Sequence, residues 1–202
     1  MGDQEIISPG VTTKLPRIIA IRGEIGSGKD TTATYLAHNY GYKIIGFSDP
    51  IYENLYRLNP PVIIGHHRAV YLQVLVDKHG WDYTKRLYPA VRQMLRIEGT
   101  ENGRNVHGEY CWINIAKKRM ALSCHPLWVI RDLRFPEEGE FVKSSGGVIW
   151  AMEGRVSPEV ATLPQHTSET HKVNIAADRL ILNDGSLPTL HRRINEVMKG
   201  YL

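Results

Sequence analysis

The sequence predicts an α/β fold built on a doubly wound parallel sheet of five strands. Two observations favour this class: short apolar runs alternate with amphipathic helical patterns, and the first run passes through a glycine-rich turn into a helix. A chain of 202 residues can bury a substantial core within one domain. We therefore expect a single domain, with residues 16–50 and 119–202 as its core.

Each predicted strand is a run of five or six mostly apolar residues, the pattern of a strand buried on both faces. The first strand precedes the glycine-rich turn and the others follow later in the chain. The five runs are Arg17–Arg22, Tyr42–Phe47, Leu127–Arg131, Gly147–Met152 and Arg179–Asn183.

The predicted helices place apolar residues three or four positions apart, so that one face of each helix can cover the sheet. The helix after the first strand ends at Gly41, and another begins near Pro136. The last helix has an apolar face that includes Leu187 and Ile194. Residues 1–15 are polar and are expected to form a loose arm.

Residues 51–118 do not follow the alternating pattern. Three helices are clearest in this stretch, over Ala69–Val76, Pro89–Ile97 and Trp112–Met120, and no strand is predicted. We interpret the stretch as a helical insertion between the second and third strands. A less regular stretch, about residues 153–176, is predicted to form a lid.

The chain has 25 Lys and Arg against 21 Asp and Glu, a net charge of +4. The excess is concentrated in residues 85–119, where eight basic residues accompany three acidic ones, and the rest of the chain has a net charge of −1. A net positive charge is typical of proteins that bind nucleic acid. Because this excess lies within the insertion and not in a tail, we expect it to bind one small anion and not a polymer.

Several classes of protein are disfavoured. No apolar run approaches the ~20 residues of a membrane-spanning helix, and the first residues lack the basic and apolar regions of a secretory signal. Cys111 and Cys124 are far apart with no C-x-x-C pair, so neither a zinc site nor a disulfide framework is expected. We expect a cytoplasmic protein that does not associate with membranes.

The segment Gly23–Lys29, with the sequence GEIGSGK, matches the G-x-x-x-x-G-K pattern of a phosphate-binding loop. It follows a predicted strand and opens a predicted helix, as the mechanism requires. Glycines let backbone amides curl around phosphate oxygens at the positive end of the helix, and Lys29 reaches the β- and γ-phosphates. The predicted ATP-binding residues here are Gly23, Gly26, Ser27, Gly28, Lys29, Asp30, Thr31 and Thr32.

Asp30 occupies the position at which Ser or Thr usually supplies a hydroxyl to Mg²⁺. Its carboxylate either meets the metal, directly or through water, or caps the helix. Thr31, one residue later, is another source of the hydroxyl. The sequence leaves these alternatives open.

A phosphate loop alone does not distinguish a kinase from an ATPase, a GTPase or a motor. The chain has no N-K-x-D motif for guanine and little room for a mechanical domain. A kinase of a small acceptor fits best, with the insertion as the acceptor site. If that acceptor is a phosphate monoester, with a second pKa of ~6, its oxygens are already anionic and need no general base. Arginines would then neutralise the two phosphate groups.

Arginines suited to this task occur in the insertion. Arg92 and Arg96 share a helical face at positions i and i+4, and Arg104 follows a predicted turn at residues 99–103. Each of these arginines taken singly could equally be a solvated surface charge.

Further arginines follow the third predicted strand. Arg131 and Arg134 flank Asp132 at the edge where ligands gather in such sheets. Asp132 directly follows a buried strand, as does the acid of a Walker B motif that supports Mg²⁺. Arg155 begins the predicted lid.

Several short motifs occur in order along about residues 17–198. They are GKDT (28–31), FSDP (47–50), RQ (92–93), GTE (99–101), GR (103–104), YCW (110–112), RDLRFPEE (131–138), HTSE (166–169) and NDGS (183–186). In this order the chain resembles the bacteriophage deoxynucleoside monophosphate kinases, relatives of the adenylate and dephospho-CoA kinases. The set of motifs is much more specific than any one of them.

The resemblance implies a P-loop kinase fold with a helical monophosphate-binding insertion and a lid. It implies transfer of the γ-phosphate of ATP, with Mg²⁺, to a deoxynucleoside 5′-monophosphate in the host cytoplasm, and it leaves homo-oligomer formation open. The catalytic residues that it implies are Lys29, Arg131, Arg134 and Arg155. The acceptor-binding residues that it implies are Ser48, Asp49, Arg92, Gln93, Thr100, Glu101, Arg104, Trp112 and Asp132. It places Asn183 and Gly185 at the adenine of ATP, and Thr31 or Asp30 at the metal.

Simpler explanations remain for some motifs. Asp49-Pro50 could only cap the next helix, and residues 183–186 could form only a turn and an N-cap. Residues 167–169 could cap a short helix. His66 and His67 are expected to be surface residues, since neither has a metal-binding partner four positions away.

Two other functions also remain. One is a kinase of another small metabolite, such as dephospho-CoA. The other is a P-loop protein that binds nucleic acid through residues 85–119, although this segment has no R-G-G or RNP-like pattern.

Overall fold

The computed structural model describes residues 15–65, 68–154 and 175–202. The strands, in chain order, are β1 (Ile18–Gly23), β2 (Lys43–Ile45), β3 (Pro61–Ile64), β4 (Arg68–Tyr71), β5 (Trp128–Ile130), β6 (Val148–Gly154) and β7 (Arg179–Asn183). The helices are α1 (Lys29–Tyr40), α2 (Asp49–Leu58), α3 (Leu72–Leu87), α4 (Pro89–Arg96), α5 (Asn105–His107), α6 (Cys111–Ser123), α7 (Pro136–Ser144) and α8 (Leu187–Lys199). A π-helix, Ile97–Arg104, joins α4 to α5.

Several predictions fall outside the described residues. They concern most of the arm and of the lid, together with Arg155, His66, His67 and residues 167–169. Among the residues that are described, no helix has both the length and the apolar character needed to cross a bilayer.

The central sheet has the order β2-β5-β1-β6-β7, and each neighbouring pair is parallel. The prediction of a five-stranded parallel sheet is therefore confirmed, although strand ends differ. β2 is shorter than the predicted Tyr42–Phe47, because the amides of Gly46 and Phe47 bond to the carboxylates of Asp49 and Asp132 and leave the sheet.

Helices cover both faces of the sheet and give three layers. On one face α1 and α8 pack against the strands, with Ile19, Ile21 and Leu36 wholly buried. On the other face α6 and α7 pack against Ile18 and Ala20. Successive residues of β1 point to opposite faces, so the whole strand is apolar.

The insertion between β2 and β5 is not wholly helical, which corrects the prediction. β3 and β4 pair as an antiparallel hairpin, and a small separate core that includes Val62 and Leu72 lies beside it. The predicted helix Ala69–Val76 begins instead at Leu72. β4 continues directly into α3 within a single apolar run, so the sequence shows no boundary between strand and helix.

The segment 99–103, predicted as a turn, lies within the π-helix. The indole of Trp112 donates a hydrogen bond to the carbonyl of Gly99 at 2.8 Å. A Cβ at Gly103 would lie 2.3 Å from the Trp112 ring, so only glycine lets the helix approach this closely. The indole bond and this close packing hold the π-helix against Trp112.

Candidate active site

The phosphate loop, residues 23–29, lies at the carboxyl end of the central strand β1. Lys29 Nζ donates to the carbonyl oxygens of Gly23 at 2.8 Å and Glu24 at 2.6 Å, which holds the ammonium over its own loop. Gly28 has a φ of 97°, a conformation that strains any residue with a Cβ. A Cβ at Gly28 would also lie 2.5 Å from Asn183 Nδ2, so the position requires glycine for two reasons.

The end of β7 meets this loop. Asn183 Nδ2 donates to the carbonyl of Ser27 at 3.1 Å, and exposed Gly185 follows two residues later. Ser186 is the N-cap of α8, and its hydroxyl accepts from the amide of Thr189. The N-cap explanation of residues 183–186 is therefore confirmed for Ser186, while Asn183 touches the phosphate loop.

The three residues after Lys29 have different surroundings. Asp30 is 81% exposed, and its Oδ1 lies 3.9 Å from Arg131 Nη1. The N-cap of α1 is Gly28 and no side chain caps it, so Asp30 does not act as the predicted cap. Thr31 is exposed, whereas Thr32 is fully buried and its hydroxyl donates to the sulfur of Met152 at 3.6 Å. Thr32 therefore faces the core and not a ligand.

Arg131 connects the phosphate loop with the start of α2. Its Nη2 donates to Asp49 Oδ1 at 2.7 Å, and its Nη1 faces Asp30. Burial lowers the pKa of Arg131, but Asp49, Asp132 and Asp30 outweigh this effect and raise it. A permanent positive charge thus lies between Asp30, at the start of α1, and Asp49, at the start of α2.

Asp132 is buried, and both of its carboxylate oxygens bond to the loop after β2. Oδ1 accepts from the amide of Phe47 at 2.9 Å. Oδ2 accepts from the amide of Ser48 at 2.9 Å and from the Ser48 hydroxyl. These contacts favour a role in holding this loop over the predicted contacts of Asp132 and Ser48 with the acceptor.

Glu138 is a functional candidate with no role predicted from the sequence. Its Oε2 accepts from the amides of Arg134 at 2.7 Å and Phe135 at 3.0 Å. Burial and the neighbouring Asp132 raise the pKa of Glu138 to about 8. Glu138 is the third residue of a helix that begins with Pro136, and its carboxyl group bonds back to the amide of the N-cap residue, as in one half of a capping box. The N-cap residue is Phe135, whose ring cannot supply the other half, so the sequence signal was only partial.

Arg104 ties the π-helix to α7. Its Nη2 lies 3.0 Å from Glu137 Oε1 and its Nη1 donates to the carbonyl of Glu109 at 3.1 Å. The guanidinium lies over the Phe135 ring, 3.9 Å from its centroid, and the side chain is only 10% exposed. These contacts favour a positioning role over direct contact with an acceptor.

The remaining acceptor candidates lie on α4, the π-helix and α6. Arg92 Nε donates to the carbonyl of Lys85 at 2.9 Å, and Gln93 is exposed. Thr100 is partly buried, and exposed Glu101 lies 3.6 Å from Arg96. Trp112 is nearly buried beneath the π-helix, which favours packing over ligand contact.

Two curated relatives confirm the resemblance to deoxynucleoside monophosphate kinases. The deoxynucleoside-5′-monophosphate kinase of Escherichia phage T5 is 32% identical over 111 residues, which cover 52% of this chain and 39% of the relative. The putative deoxynucleotide monophosphate kinase of Acanthamoeba polyphaga mimivirus is 25% identical over 195 residues, which cover 88% of this chain and 93% of the relative. The chain thus spans less than half of the T5 relative. No protein-family model matches the chain.

Solved structures with a similar outline include protein TT1252 of Thermus thermophilus, with 21% identity and a TM-score of 0.44 over 93% of this chain and 98% of that one. The dephospho-CoA kinase of Campylobacter jejuni has 13% identity and a TM-score of 0.44, covering 92% and 97%. The shikimate kinase of Aquifex aeolicus has 13% identity and a TM-score of 0.45, covering 91% and 96%. At these scores the likeness adds nothing to the topology described above.

Proposed function

We propose that the chain transfers the γ-phosphate of ATP to a deoxynucleoside 5′-monophosphate and so forms the diphosphate. The observation that carries the proposal is the position of Arg131, which bonds to Asp49 and faces Asp30 of the phosphate-loop helix. Donor and acceptor phosphates that met at this arginine would share one cation. The named activities of the two relatives support the choice of acceptor.

The residues of the loop fit a magnesium ion that accompanies ATP. Within the described ranges no cluster of three or more His, Cys, Asp or Glu side chains could hold a metal. Mg²⁺ in kinases takes most of its ligands from phosphates and water, and needs only one or two protein groups. Thr31 and Asp30, both exposed at the start of α1, supply a hydroxyl and a carboxylate, which are such groups. When bound, the ion neutralises charge on the transferred phosphoryl group.

The protein itself would contribute to phosphoryl transfer by positioning the two phosphate groups and by neutralising their negative charge. Lys29 would bind the donor phosphates, and Arg131 and Arg134 would stabilise the charge that develops between donor and acceptor. Asp49 holds the Arg131 guanidinium in place, and Glu138 holds the backbone of Arg134. The acceptor oxygens are ionised near neutral pH, with a second pKa of ~6, so no residue is required to remove a proton.

An acceptor panel tests the proposal. ADP formation is measured with ATP, Mg²⁺ and each common deoxynucleoside monophosphate in turn, with AMP and dephospho-CoA as comparison acceptors. We expect turnover that depends on at least one deoxynucleoside monophosphate. Stimulation by dephospho-CoA alone would assign the chain to the other kinase class, and stimulation by no monophosphate would refute the proposal.

Substitution of the phosphate-loop lysine provides the first prediction. Lys29→Ala removes the cation that contacts the donor phosphates, so kcat should fall by about 100-fold or more. Lys199→Ala, at the exposed end of α8, is the matched control and should keep the wild-type kcat. Comparable kcat values for the two variants would contradict the assigned role of Lys29.

A further inference from the structure

An aromatic cleft lies between α2 and the second half of α3, and none of its residues belongs to the site predicted from the sequence. The cleft has a volume of about 310 Å³ and is lined by Tyr52, Glu53, Tyr56, Arg57 and Trp81. The rings of Tyr52 and Trp81 meet edge to face with centroids 4.9 Å apart. Small-molecule sites begin at roughly this volume and are lined mainly by such side chains.

A cation lies beside the aromatic cleft. Lys85 Nζ is 5.1 Å from the centroid of the Tyr52 ring, donates to its hydroxyl at 3.1 Å and pairs with Asp82 at 3.0 Å. Burial lowers the pKa of Lys85, but Tyr52 and Asp82 outweigh this effect and raise it. At the rim of the cleft, Lys85 can therefore donate a hydrogen bond to the polar edge of a planar ring, and the exposed carboxylate of Asp82 can accept one.

A kink in α3 directs this rim toward α2. Gly80 interrupts the helix with a φ of 74°. The buried hydroxyl of Thr84 lies 2.7 Å from the carbonyl oxygen of Gly80 and 3.2 Å from that of Leu75, which fixes the bend. Trp81 and Lys85 follow the bend at positions i and i+4, so they share one helical face.

The cleft residues Tyr52, Glu53 and Tyr56 share one face of α2 with Asp49 of the candidate active site. Asp49, Tyr52, Glu53 and Tyr56 occur at positions i, i+3, i+4 and i+7, which lie on the same side of a helix. Asp49 binds Arg131 at one end of this face, and Tyr56 lines the cleft at the other. At ~1.5 Å per residue the two ends are about 10 Å apart, a span that a mononucleotide can cover from phosphate to base.

One contact and one longer-range charge effect link the cleft to the same site. Arg92 Nε donates to the backbone carbonyl of Lys85, so a predicted acceptor arginine packs against the part of α3 that carries Lys85. Lys85 and, more weakly, Arg131 lower the pKa of Asp82, so the charge of Arg131 reaches this rim.

We propose that the nucleobase of the acceptor lies against the rings of Tyr52 and Trp81 in the aromatic cleft, while the 5′-phosphate faces Arg131. The identity of the ligand rests on the proposed function. The cleft selects a phosphate that carries a planar aromatic ring over one that carries only a sugar.

The position of Trp81 gives a readout that does not require turnover. Trp112, Trp128 and Trp150 are at most 8% exposed, whereas Trp81 is only partly buried at the cleft. Deoxynucleoside monophosphates are titrated without ATP while tryptophan fluorescence is recorded, and calorimetry gives the dissociation constants. We expect saturable quenching in the wild-type protein and none in Trp81→Phe.

Removal of the aromatic wall should weaken acceptor binding alone. Tyr52→Leu and Trp81→Leu should raise the Kd for the monophosphate by about 5- to 100-fold, since each removes a stacking surface. The Kd for ATP and the weak binding of 2-deoxyribose 5-phosphate, which has no base, should not change. Tyr83→Leu is the control, because Tyr83 lies on the same helix, stacks on His79 and does not line the cleft.

Thermal unfolding of each variant is recorded first, and Trp81→Phe retains a ring in case Trp81→Leu does not fold. Quenching that depends on Trp81 without ADP formation would support the cleft and refute the kinase activity. Normal turnover with an unchanged Kd in Tyr52→Leu and no loss of quenching in Trp81→Phe would refute the cleft and leave the activity standing. A folded wild-type protein that binds no monophosphate would refute both.

Discussion

Three acidic side chains at the carboxyl edge of the sheet accept hydrogen bonds from backbone amides of the loops that carry the candidate site. Asp49, Asp132 and Glu138 each accept at least one such bond. These loop amides have no partner in the sheet, so the carboxyl oxygens satisfy them in place of water. A Cβ at Gly46 would lie within 2.9 Å of oxygens of both Asp49 and Asp132, so the two acids leave room only for glycine between them.

Asp132→Asn should lower the free energy of unfolding by about 2–4 kcal/mol. The new amide group would direct its own donors at the amide and hydroxyl of Ser48, which now donate to the carboxylate. Ser48→Ala removes one hydrogen bond and should cost only about 1 kcal/mol. Urea unfolding of the three proteins, without nucleotide, measures both effects.

The same experiment separates this role from a role at the metal. If Asp132 acted only through Mg²⁺, Asp132→Asn would unfold at the wild-type urea concentration and lose only turnover. A ranking in which Ser48→Ala is the less stable variant would also contradict the hydrogen-bond assignment.

Among the helices and strands, those whose formation depends on neighbouring residues in the chain could be predicted from the sequence. β1, the phosphate loop and the start of α1 follow from an apolar run, glycine spacing and helical periodicity, and the structure has them within one residue. The β3–β4 hairpin and the π-helix depend on distant partners. Their partners are the separate insertion core around Val62 and the indole of Trp112, which no local pattern reveals.

The kink of α3 is an element that a single glycine encodes. Gly80 has a positive φ, and a Cβ there would meet no other atom within 4 Å, so the cost of substitution is backbone strain alone. With a ψ of 165°, Gly80 lies in a region of backbone conformation that is essentially restricted to glycine, so Gly80→Ala should lower the free energy of unfolding by about 1–3 kcal/mol. Gly80→Asn should cost about as much, because the left-handed conformation that asparagine tolerates has a ψ of about +47° and does not match this one.

Chemical denaturation of the two Gly80 variants measures both losses. The wild-type protein should be the most stable, and Gly80→Asn and Gly80→Ala should be destabilised to a similar degree. Equal stability of the alanine variant and the wild type would show that α3 does not require the glycine-specific backbone conformation at Gly80.

At the scale of the whole molecule, tertiary contacts change the meaning of the basic segment 85–119. Four of its eight basic residues have acidic partners, three of which lie outside the segment. The pairs are Lys85–Asp82, Arg96–Glu101, Arg104–Glu137 and Arg119–Glu53. The net charge calculated for residues 85–119 includes each basic side chain but leaves out the acidic partner that lies outside the segment. The pairing lowers the positive charge that the segment offers to a polymer such as nucleic acid, and binding of one small anion stays a prediction.

The stability of the folded protein should depend on pH through Glu138. Its pKa is raised from 4.5 to about 8, so between these values the folded protein holds a proton that the unfolded chain releases. Stabilisation by the protonated carboxyl is complete below about pH 4.5 and is lost as the pH rises through about 8. The loss should be at most ~1.4 kcal/mol per pH unit, the value for one proton.

Glu138→Gln isolates this contribution. The glutamine oxygen can still accept from the amides of Arg134 and Phe135, but the side chain no longer titrates. The difference between the free energies of unfolding of the two proteins therefore reports the titration of Glu138 together with its interaction with Asp132. Urea unfolding between about pH 5 and pH 9 should show the wild type losing stability relative to the variant as pH rises, and then levelling off. A difference that stayed constant across this range would show that Glu138 is ionised in the fold throughout, and that Oε2 holds the Arg134 loop as a charged acceptor.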